Sequence, residues 1–328
     1  MVGARNLLLC VAVVSAPVMS PSAIAASTPI LLVTGLQGGS GSTIGPGGAL
    51  YVTEGAAGRI SRVDPQTGAV TTFATGLPPL LAGVGIGGAM DVAFIGSTAY
   101  VLVTLVGPDV GGGSVVGIYR IDGTDSFTVI ADIGAFNLAH PPIPPFFVPT
   151  GVQYALETYR GGFLVSDGHH NRVLRVTLDG EVSEFITFDN IVPTGVAVSG
   201  NTVFIAQAGP VPHLPEDGRI VSFARGSLST EEVASGAPLL VDVEFGRGRK
   251  LYALAQGDFL EGNPDGSPAQ PNTGALVEAN SDGSFTVITN SLNQPTSLEF
   301  IGNTAYVVTL TGEIWKIERV SDPPYGTR

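Results

Sequence analysis

The chain has 328 residues, of which 28 are acidic and 15 are basic, so its formal net charge is −13 at pH 7. This acidic balance argues against nucleic acid as a partner, because phosphate backbones recruit basic surfaces. Glycine (45) and proline (24) are abundant and only 13% of the residues are charged, and the length suits one large all-β domain or two smaller ones.

Residues 1–25 have the pattern of a secretory signal peptide. Arg5 supplies a positive charge, Leu7–Val14 is an apolar run, and Ala23-Ile24-Ala25 is a small-x-small cleavage site. The apolar run is short for a membrane span and two prolines follow it, so we expect cleavage rather than anchoring. The only cysteine, Cys10, would leave with this segment. We therefore expect a secreted or periplasmic protein without disulfides and without a membrane span.

Residues 28–320 repeat a four-stranded unit six times, which predicts an all-β fold, a six-bladed β-propeller. The second strands share an apolar-aromatic pattern and read Leu50-Tyr51-Val52, Ala99-Tyr100-Val101, Phe163-Leu164-Val165, Val203-Phe204-Ile205, Leu251-Tyr252-Ala253 and Ala305-Tyr306-Val307. The innermost strands precede them and are predicted at Ser42–Pro46, Met90–Phe94, Thr150–Tyr154, Thr194–Val198, Val241–Phe245 and Thr296–Phe300. A β-sandwich is the alternative, but it does not explain the six-fold register.

The last unit lacks an outer strand, and the missing strand is found at the other end of the chain. The sixth unit stops at Trp315-Lys316-Ile317-Glu318, before a predicted tail at residues 321–328. Residues Pro29–Leu36 resemble the fourth strand and exit turn at Thr72–Leu77. We therefore predict that an N-terminal strand completes the sixth blade and closes the ring, which protects the terminal edges.

One segment resembles a known family of propellers. The run Asp167-Gly168-His169-His170-Asn171-Arg172-Val173 resembles the signature of NHL-repeat propellers, and Glu54…Arg59-Ile60 is a weaker copy. Together with Gly45–Val52, Ala74–Leu77 and the export signal, these phrases make the mature chain similar to the ScyD/ScyE family, named for proteins encoded with scytonemin biosynthesis. The resemblance implies an exported propeller and specifies no activity.

The predicted long loops lie on one face of the propeller, which we term the loop-rich face. They connect second to third strands, or one blade to the next, at Leu105–Val116, Ala135–Pro149, Ala208–Gly218 and Gly257–Thr273. The opposite, short-turn face has tight turns such as Ile95-Gly96-Ser97. Long loops commonly carry binding sites. We therefore predict that a small molecule or a protein binds at the loop-rich face.

Polar residues at strand ends near this face are candidate metal ligands. Second strands end at Glu54, Asp167 and Gln207, and innermost strands begin near Asp91, Thr150, Thr194 and Asp242. The carboxylates of Glu54, Asp91, Asp167 and Asp242 are predicted ligands of Ca²⁺ or Mg²⁺. Propellers of the gluconolactonase type use such a metal to polarise a lactone or ester carbonyl. The alternative is that Glu54 and Asp167 pair with arginines to fasten the blades.

Histidine and aromatic residues complete the predicted binding face. His169, His170 and His213 lie in its loops and are candidate acid–base groups, as in virginiamycin-type lyases, or solvated turn residues. The proline-rich segment Ala135–Pro149 exposes Phe146 and Phe147 and serves either as a contact for a ligand or as a lid over the channel. No complete catalytic set is present. The sequence therefore favours a binding propeller over a metal-dependent lactonase, esterase or lyase.

Overall fold

The structure, a computed structural model, describes residues 28–224, 226–227, 229–264 and 266–321. The predicted signal peptide, with Cys10, and all of the predicted C-terminal tail except Ser321 lie outside these residues. Within them, no helix has the length and hydrophobicity needed to cross a membrane.

The described chain forms six antiparallel four-stranded sheets. The first strand, β1 (Ile30–Val33), precedes blade one. Blade one consists of β2 (Gly39–Ile44), β3 (Leu50–Glu54), β4 (Arg59–Val63) and β5 (Val70–Ala74). Blade two consists of β6 (Gly88–Ile95), β7 (Thr98–Thr104), β8 (Gly117–Gly123) and β9 (Ser126–Asp132). Blade three follows the helix α1 (Ile133–Ala139) and consists of β10 (Gln153–Tyr159), β11 (Gly162–Asp167), β12 (Arg172–Thr177) and β13 (Val182–Thr187).

The second half of the ring repeats this order. Blade four consists of β14 (Pro193–Ser199), β15 (Thr202–Gln207), β16 (Arg219–Ala224) and β17 (Glu231–Ser235). Blade five consists of β18 (Leu240–Phe245), β19 (Leu251–Ala255), β20 (Gly274–Ala279) and β21 (Phe285–Leu292). Blade six consists of β22 (Pro295–Ile301), β23 (Thr304–Thr309), β24 (Ile314–Ile317) and β1. The predicted six-bladed β-propeller is confirmed.

The N-terminal strand completes blade six as predicted. Ile30 pairs with Lys316 and Leu31 pairs with Trp315 in an antiparallel ladder. The pairing satisfies the backbone groups of β24 that would otherwise form an open edge.

The hydrophobic core lies between the blades. Six clusters of buried side chains each combine residues of two neighbouring blades, including the pair formed by blades six and one. This arrangement explains why the strands lack a clean alternation of apolar and polar residues, since a blade is covered on both faces. All six residues of β11 are buried for this reason.

Two innermost strands differ from the predicted bounds by three residues or more at one or both ends, and the other four differ by no more than two. In blade one, β2 begins at Gly39 and ends before Pro46, which opens a short turn and has no N–H for the ladder. In blade three, the predicted strand Thr150–Tyr154 is displaced to Gln153–Tyr159. Thr150 instead lies in the preceding loop, where its backbone N–H and its hydroxyl donate to Oδ2 of Asp109 at 3.0 and 2.8 Å. This shift brings Glu157 into the channel wall.

Candidate functional site

A cavity of about 380 Å³ lies in the central channel of the propeller. Residues of all six innermost strands form its wall, and loop residues such as Ile86, His169, His213 and Pro268 form its mouth. These loops belong to the loop-rich face. Its opening is therefore on that face, where the long connections surround it.

Five acidic side chains line this cavity, and we term them the channel carboxyls: Asp91, Glu157, Asp242, Glu244 and Glu299. The strand registers place Asp91 of blade two and Asp242 of blade five at one level, on opposite sides of the axis. Glu157, Glu244 and Glu299 lie at the next level toward the short-turn face. The carboxyls thus form two levels within one chamber.

The two aspartates of the upper level each join their own blade to the next one. Asp91 Oδ1 accepts from its neighbour Val92 N at 2.8 Å, and Oδ2 accepts from Leu156 N of blade three at 2.7 Å. Asp242 Oδ1 likewise accepts from Val243 N at 2.8 Å, and Oδ2 accepts from Leu298 N of blade six at 2.7 Å. Each aspartate therefore satisfies a backbone N–H at a blade junction.

A glycine in the preceding blade makes room for each aspartate. A Cβ on Gly41 of blade one would lie 2.1 Å from Asp91 Oδ1, and a Cβ on Gly195 of blade four would lie 2.5 Å from the Cα of Asp242. The same glycine–aspartate–amide arrangement thus occurs in blades one to three and in blades four to six. The two halves of the ring share a pseudo-twofold relation around the channel.

Enclosure in the channel raises the pKa of all five carboxyls. Desolvation is the largest cause in each case, and it raises the pKa of Glu157 and of Asp242 to about 7. For Asp91 the pKa is also well above its usual value, despite the backbone N–H groups that favour the charged form. Repulsion from neighbouring carboxyls further raises the pKa of Glu244 and Glu299. These groups titrate above the range of an exposed carboxyl.

Glu54, a predicted metal ligand, lies outside the cavity and is fully buried in an ion pair. Its Oε1 accepts from Arg59 Nε and its Oε2 from Arg59 Nη2, both at 2.7 Å. Ser61 Oγ and the backbone N–H of Gln37 donate to the same carboxylate. Its hydrogen-bonding capacity is therefore used within blade one and the adjoining segment.

Asp167, also a predicted ligand, is the centre of a buried polar network. Arg172 Nε donates to Oδ2 at 3.0 Å, Gln153 Nε2 to Oδ1 at 2.8 Å and Asn137 Nδ2 to Oδ2 at 3.0 Å. Asn137 belongs to α1, so this network attaches the insertion to blade three. His170, a predicted face residue, is buried in the same network with Nδ1 3.1 Å from Asp167 Oδ2.

The structure thus brings together two of the four predicted ligands. Asp91 and Asp242 line the channel, whereas Glu54 and Asp167 are held by arginines at the blade ends. Among the described residues, no group of three or more His, Asp or Glu side chains is arranged to hold a metal ion. Thr194 lines the cavity and donates to the carbonyl of Leu240 at 2.8 Å.

An aromatic cluster occupies one side of the mouth. His169 lines the cavity, with Nε2 3.1 Å from the hydroxyl of Tyr154, and Phe146 stacks on its ring at 4.8 Å between centroids. Phe147 points outward and is 72% exposed. His169, Phe146 and Phe147, three of the residues predicted for the binding face, are therefore grouped at the entrance.

The remaining face residues have separate environments. His213 lines the cavity but is buried, with Nδ1 2.8 Å from the carbonyl of Gly209 and its ring edge-to-face with Phe259. Gln207 is buried at the end of β15, opposite Pro193 and Arg219, and does not line the cavity.

Sequence reasoning missed the three channel glutamates and Tyr154. Glu244 and Glu299 were within predicted strands, two residues after Asp242 and Ser297, so period-two alternation already placed them on the channel side. Glu157 was missed because the predicted strand of blade three was displaced from the real one.

No family model matches the sequence, and no curated protein is similar to it. Among solved structures, the chain is similar to a gluconolactonase from Xanthomonas campestris, with 14% identity, 91% of this chain and 93% of that chain covered, and a TM-score of 0.61. It is also similar to a virginiamycin B lyase from Staphylococcus aureus, with 14% identity, 89% and 98% covered, and a TM-score of 0.53. A PQQ-bound aldose sugar dehydrogenase from Streptomyces coelicolor has 16% identity, 88% and 96% covered, and a TM-score of 0.55. At these identities the likeness establishes the propeller fold that the chain shares with all three enzymes.

Proposed function

We propose that this protein is an exported propeller of the ScyD/ScyE type that binds a small molecule in its central channel. The ligand enters from the loop-rich face and lies between the aromatic mouth and the channel carboxyls. The observation that carries the proposal is the cavity of about 380 Å³, which all six innermost strands line and the long loops surround. Such concave, largely preformed chambers are the usual sites of small-molecule binding.

The cavity wall combines polar and apolar residues, as in a binding site for a specific ligand, whereas a hydrophobic core would be apolar throughout. The polar residues Ser40, Thr43, Thr158 and Thr296 line the same cavity as the apolar residues Ile86 and Val192. A mixed wall of this kind fixes the orientation of a ligand through its polar groups and binds the remainder through contact.

A fragment screen tests this proposal. Ligand-observed NMR on the wild-type chain is expected to find small polar fragments whose binding disappears in Ala155→Phe, which fills the channel from blade three. Thr43→Phe fills the channel from blade one. If both variants lose binding, a local folding defect in blade three is not the cause. Fragments that bind all three chains equally, or the lack of any hit, would contradict binding in the channel.

Acid–base catalysis in the same cavity is the second candidate. Glu157 and Asp242 have a pKa of about 7, close to the value at which one group both donates and accepts protons efficiently at neutral pH. Such groups suit hydrolysis or elimination on a bound ester, lactone or related substrate. The described residues do not fit a metal-dependent version. Asp91 and Asp242 lie on opposite sides of the axis, and each already accepts two backbone N–H groups.

A panel of small esters and lactones separates catalysis from binding. If the second candidate is right, turnover depends on pH with a transition near 7, and Glu157→Gln lowers kcat about a hundredfold or more. Glu261→Gln, on an exposed loop outside the cavity, is the matched control and leaves kcat unchanged. No turnover of any panel member between acid and alkaline pH would exclude hydrolysis of this substrate class.

A further inference from the structure

We infer that the ligand of the channel is a small organic cation with an apolar or aromatic portion, such as a primary amine. This inference rests on the proposed binding function and names the chemical class that the cavity selects. Three independent features of the structure support it: the charge of the cavity wall, the charge of the face around it, and the apolar side chains at its mouth.

The cavity wall has carboxyl groups, and the nitrogen bases that line it among the described residues are the imidazoles of His169 and His213. Five acidic residues line it, and neither lysine nor arginine does. The Glu299 carboxyl lines the channel, where desolvation and repulsion from the other four channel carboxyls raise its pKa. A carboxyl in such a site is stabilised as the anion by a positive charge nearby. The site therefore lacks the partner that a bound ammonium group would supply.

The charge of the surrounding face extends this pattern. Its connections and strand ends contain ten described acidic residues: Glu54, Asp109, Asp132, Asp167, Asp189, Glu216, Asp217, Asp258, Glu261 and Glu313. The described basic residues there are three arginines, and each forms an ion pair with a carboxylate: Arg59, Arg172 and Arg219.

The other nine described basic residues lie toward the short-turn face: Arg62, Arg120, Arg160, Arg175, Arg247, Arg249, Lys250, Lys316 and Arg319. Eleven described acidic residues also lie outside the loop-rich face and the channel. The short-turn side is therefore close to neutral, and the loop-rich face is the more negative of the two. A cleft whose walls have one sign of charge concentrates ligands of the opposite sign and speeds their entry. Cations are drawn to the mouth, whereas anions are repelled from it.

Apolar side chains around the mouth account for the second part of the ligand. Ile86, Val192 and Leu239, each just before an innermost strand, line the cavity at this end. Ile143 (97% exposed) and Leu138 (60% exposed) lie on the surrounding face outside the cavity. Val211, Leu214 and Leu260 are exposed on two further loops of the same face. An apolar group gains free energy by covering such side chains while its charged end lies deeper in the channel.

The depth of the carboxyls favours a small molecule over a polypeptide as the occupant. Glu157, Glu244 and Glu299 lie at the inner level of the channel, below Asp91 and Asp242. The cavity of about 380 Å³ has room for a molecule of modest size. A folded basic protein would contact the rim and leave the inner level unfilled.

Three probes with one apolar body and different head groups test the inference. They are 4-phenylbutylamine, 4-phenylbutan-1-ol and 4-phenylbutyrate, titrated calorimetrically into the full chain at slightly alkaline pH and low salt. We expect the amine to bind at least about tenfold more tightly than the alcohol, and the butyrate to bind most weakly, because only the amine compensates the carboxyls.

Variants assign the effect to the channel. The double variant Glu244→Gln, Glu299→Gln keeps the side-chain volume. We expect it to weaken the binding of the amine by about tenfold or more and to leave the binding of the alcohol unchanged. Glu181→Gln, an exposed acid in the β12–β13 turn of the short-turn face, is the control and leaves the binding of both unchanged. Ile86→Ala is expected to weaken the binding of amine and alcohol by the same factor, because it removes an apolar side chain of the cavity from contact with both.

The outcomes separate this inference from the proposed function. Equal binding of amine and alcohol, both abolished by Ala155→Phe, would overturn the cationic class and leave binding in the channel standing. Binding of the butyrate more tightly than the amine would also overturn the cationic class and leave binding in the channel standing. If oligolysine binds and the amine does not, the face belongs to a basic polypeptide and the inference fails. If no probe binds, the inference also fails, and the fragment screen decides the proposed function independently.

Discussion

Two buried acidic regions of this propeller differ in how their charge is compensated. At the end of β11, Asp167 is surrounded by donors from Arg172, Gln153 and Asn137. In the channel, the carboxyls have backbone N–H groups or one another as neighbours, and no described lysine or arginine lines the cavity.

The difference separates a structural use of carboxylates from a binding use. The Asp167 network joins α1 to blade three and leaves the aspartate with no capacity for a ligand. The channel carboxyls are desolvated but lack a cation, so their protonation state responds to whatever enters the cavity. A buried carboxylate by itself does not indicate a binding site. A buried carboxylate without a cationic partner in the protein does.

The largest expected effect comes from removing the arginine that compensates Asp167. Arg172→Met keeps most of the side-chain stem but leaves the Asp167 carboxylate buried without its arginine, and we expect it to lower the free energy of unfolding by about 3–5 kcal/mol. Arg219→Met removes a half-exposed partner of Glu232, so its expected cost is about 0–1 kcal/mol. Urea denaturation measures both. Equal losses in the free energy of unfolding would contradict the view that the buried ion pair contributes more to stability than the exposed one.

A smaller effect is expected where the aspartates of the channel lie against glycine. Gly41→Ala and Gly195→Ala place a Cβ within 2.1 Å of Asp91 Oδ1 and 2.5 Å of the Cα of Asp242. We expect each to lower the free energy of unfolding by about 1–3 kcal/mol, because the blades must move apart. Gly113→Ala, whose Cβ would meet nothing within 4 Å, is the control for thermal melts. A neutral result at both sites would show that the junction tolerates displacement.

The pH dependence of stability has opposite signs in the channel and on the surface. Burial raises the pKa of Glu157 from 4.5 to about 7, so the folded state binds more protons than the unfolded state between those values. Stability therefore falls as pH rises through this window, with a slope of at most about 1.4 kcal/mol per pH unit for each such group. The other channel carboxyls act in the same direction, and His169, His213 and Tyr154 are the remaining titratable groups that line the cavity.

Glu157→Gln is expected to remove part of this slope and to be more stable than the wild type at pH 7 but not at pH 4.5. Asp64 is an exposed control, because hydrogen bonds from the Thr67 and Gln66 N–H groups lower its pKa. Its contribution is present above the unfolded pKa and is lost as pH falls. Asp64→Asn should therefore act at neutral pH in the opposite sense. Urea midpoints across this pH range measure both, and a wild-type curve that rises from pH 4.5 to 7 would contradict the assignment.

The architecture was readable from the sequence because it is encoded by repetition. Six copies of an apolar-aromatic second strand fixed the blade count, and the extra strand at Ile30–Val33 matched the one missing beyond Ile314–Ile317. The ion pairs Glu54–Arg59 and Asp167–Arg172 were also foreseen, as the alternative to metal binding, since acid and arginine recur at the same spacing.

The chamber itself was less predictable. Thr150-Gly151-Val152 imitates the strand start Thr194-Gly195-Val196, but the proline-rich insertion before it moves β10 three residues along, so the position of Glu157 depended on tertiary structure. The absence of arginine from the cavity wall is likewise a property of where loops pack. Local sequence determined the strands, whereas the environment of each carboxyl arose from six strands meeting at the axis.

The pairing of Ile30 with Lys316 has a consequence for biogenesis. A chain emerging from the ribosome cannot seal its ring until almost the last described residue has been made, so an early strand must wait unpaired for its neighbour. Such distant pairing slows folding, and a waiting edge invites aggregation. Truncation a few residues before Ile314 should thus be more damaging to yield than its small size suggests.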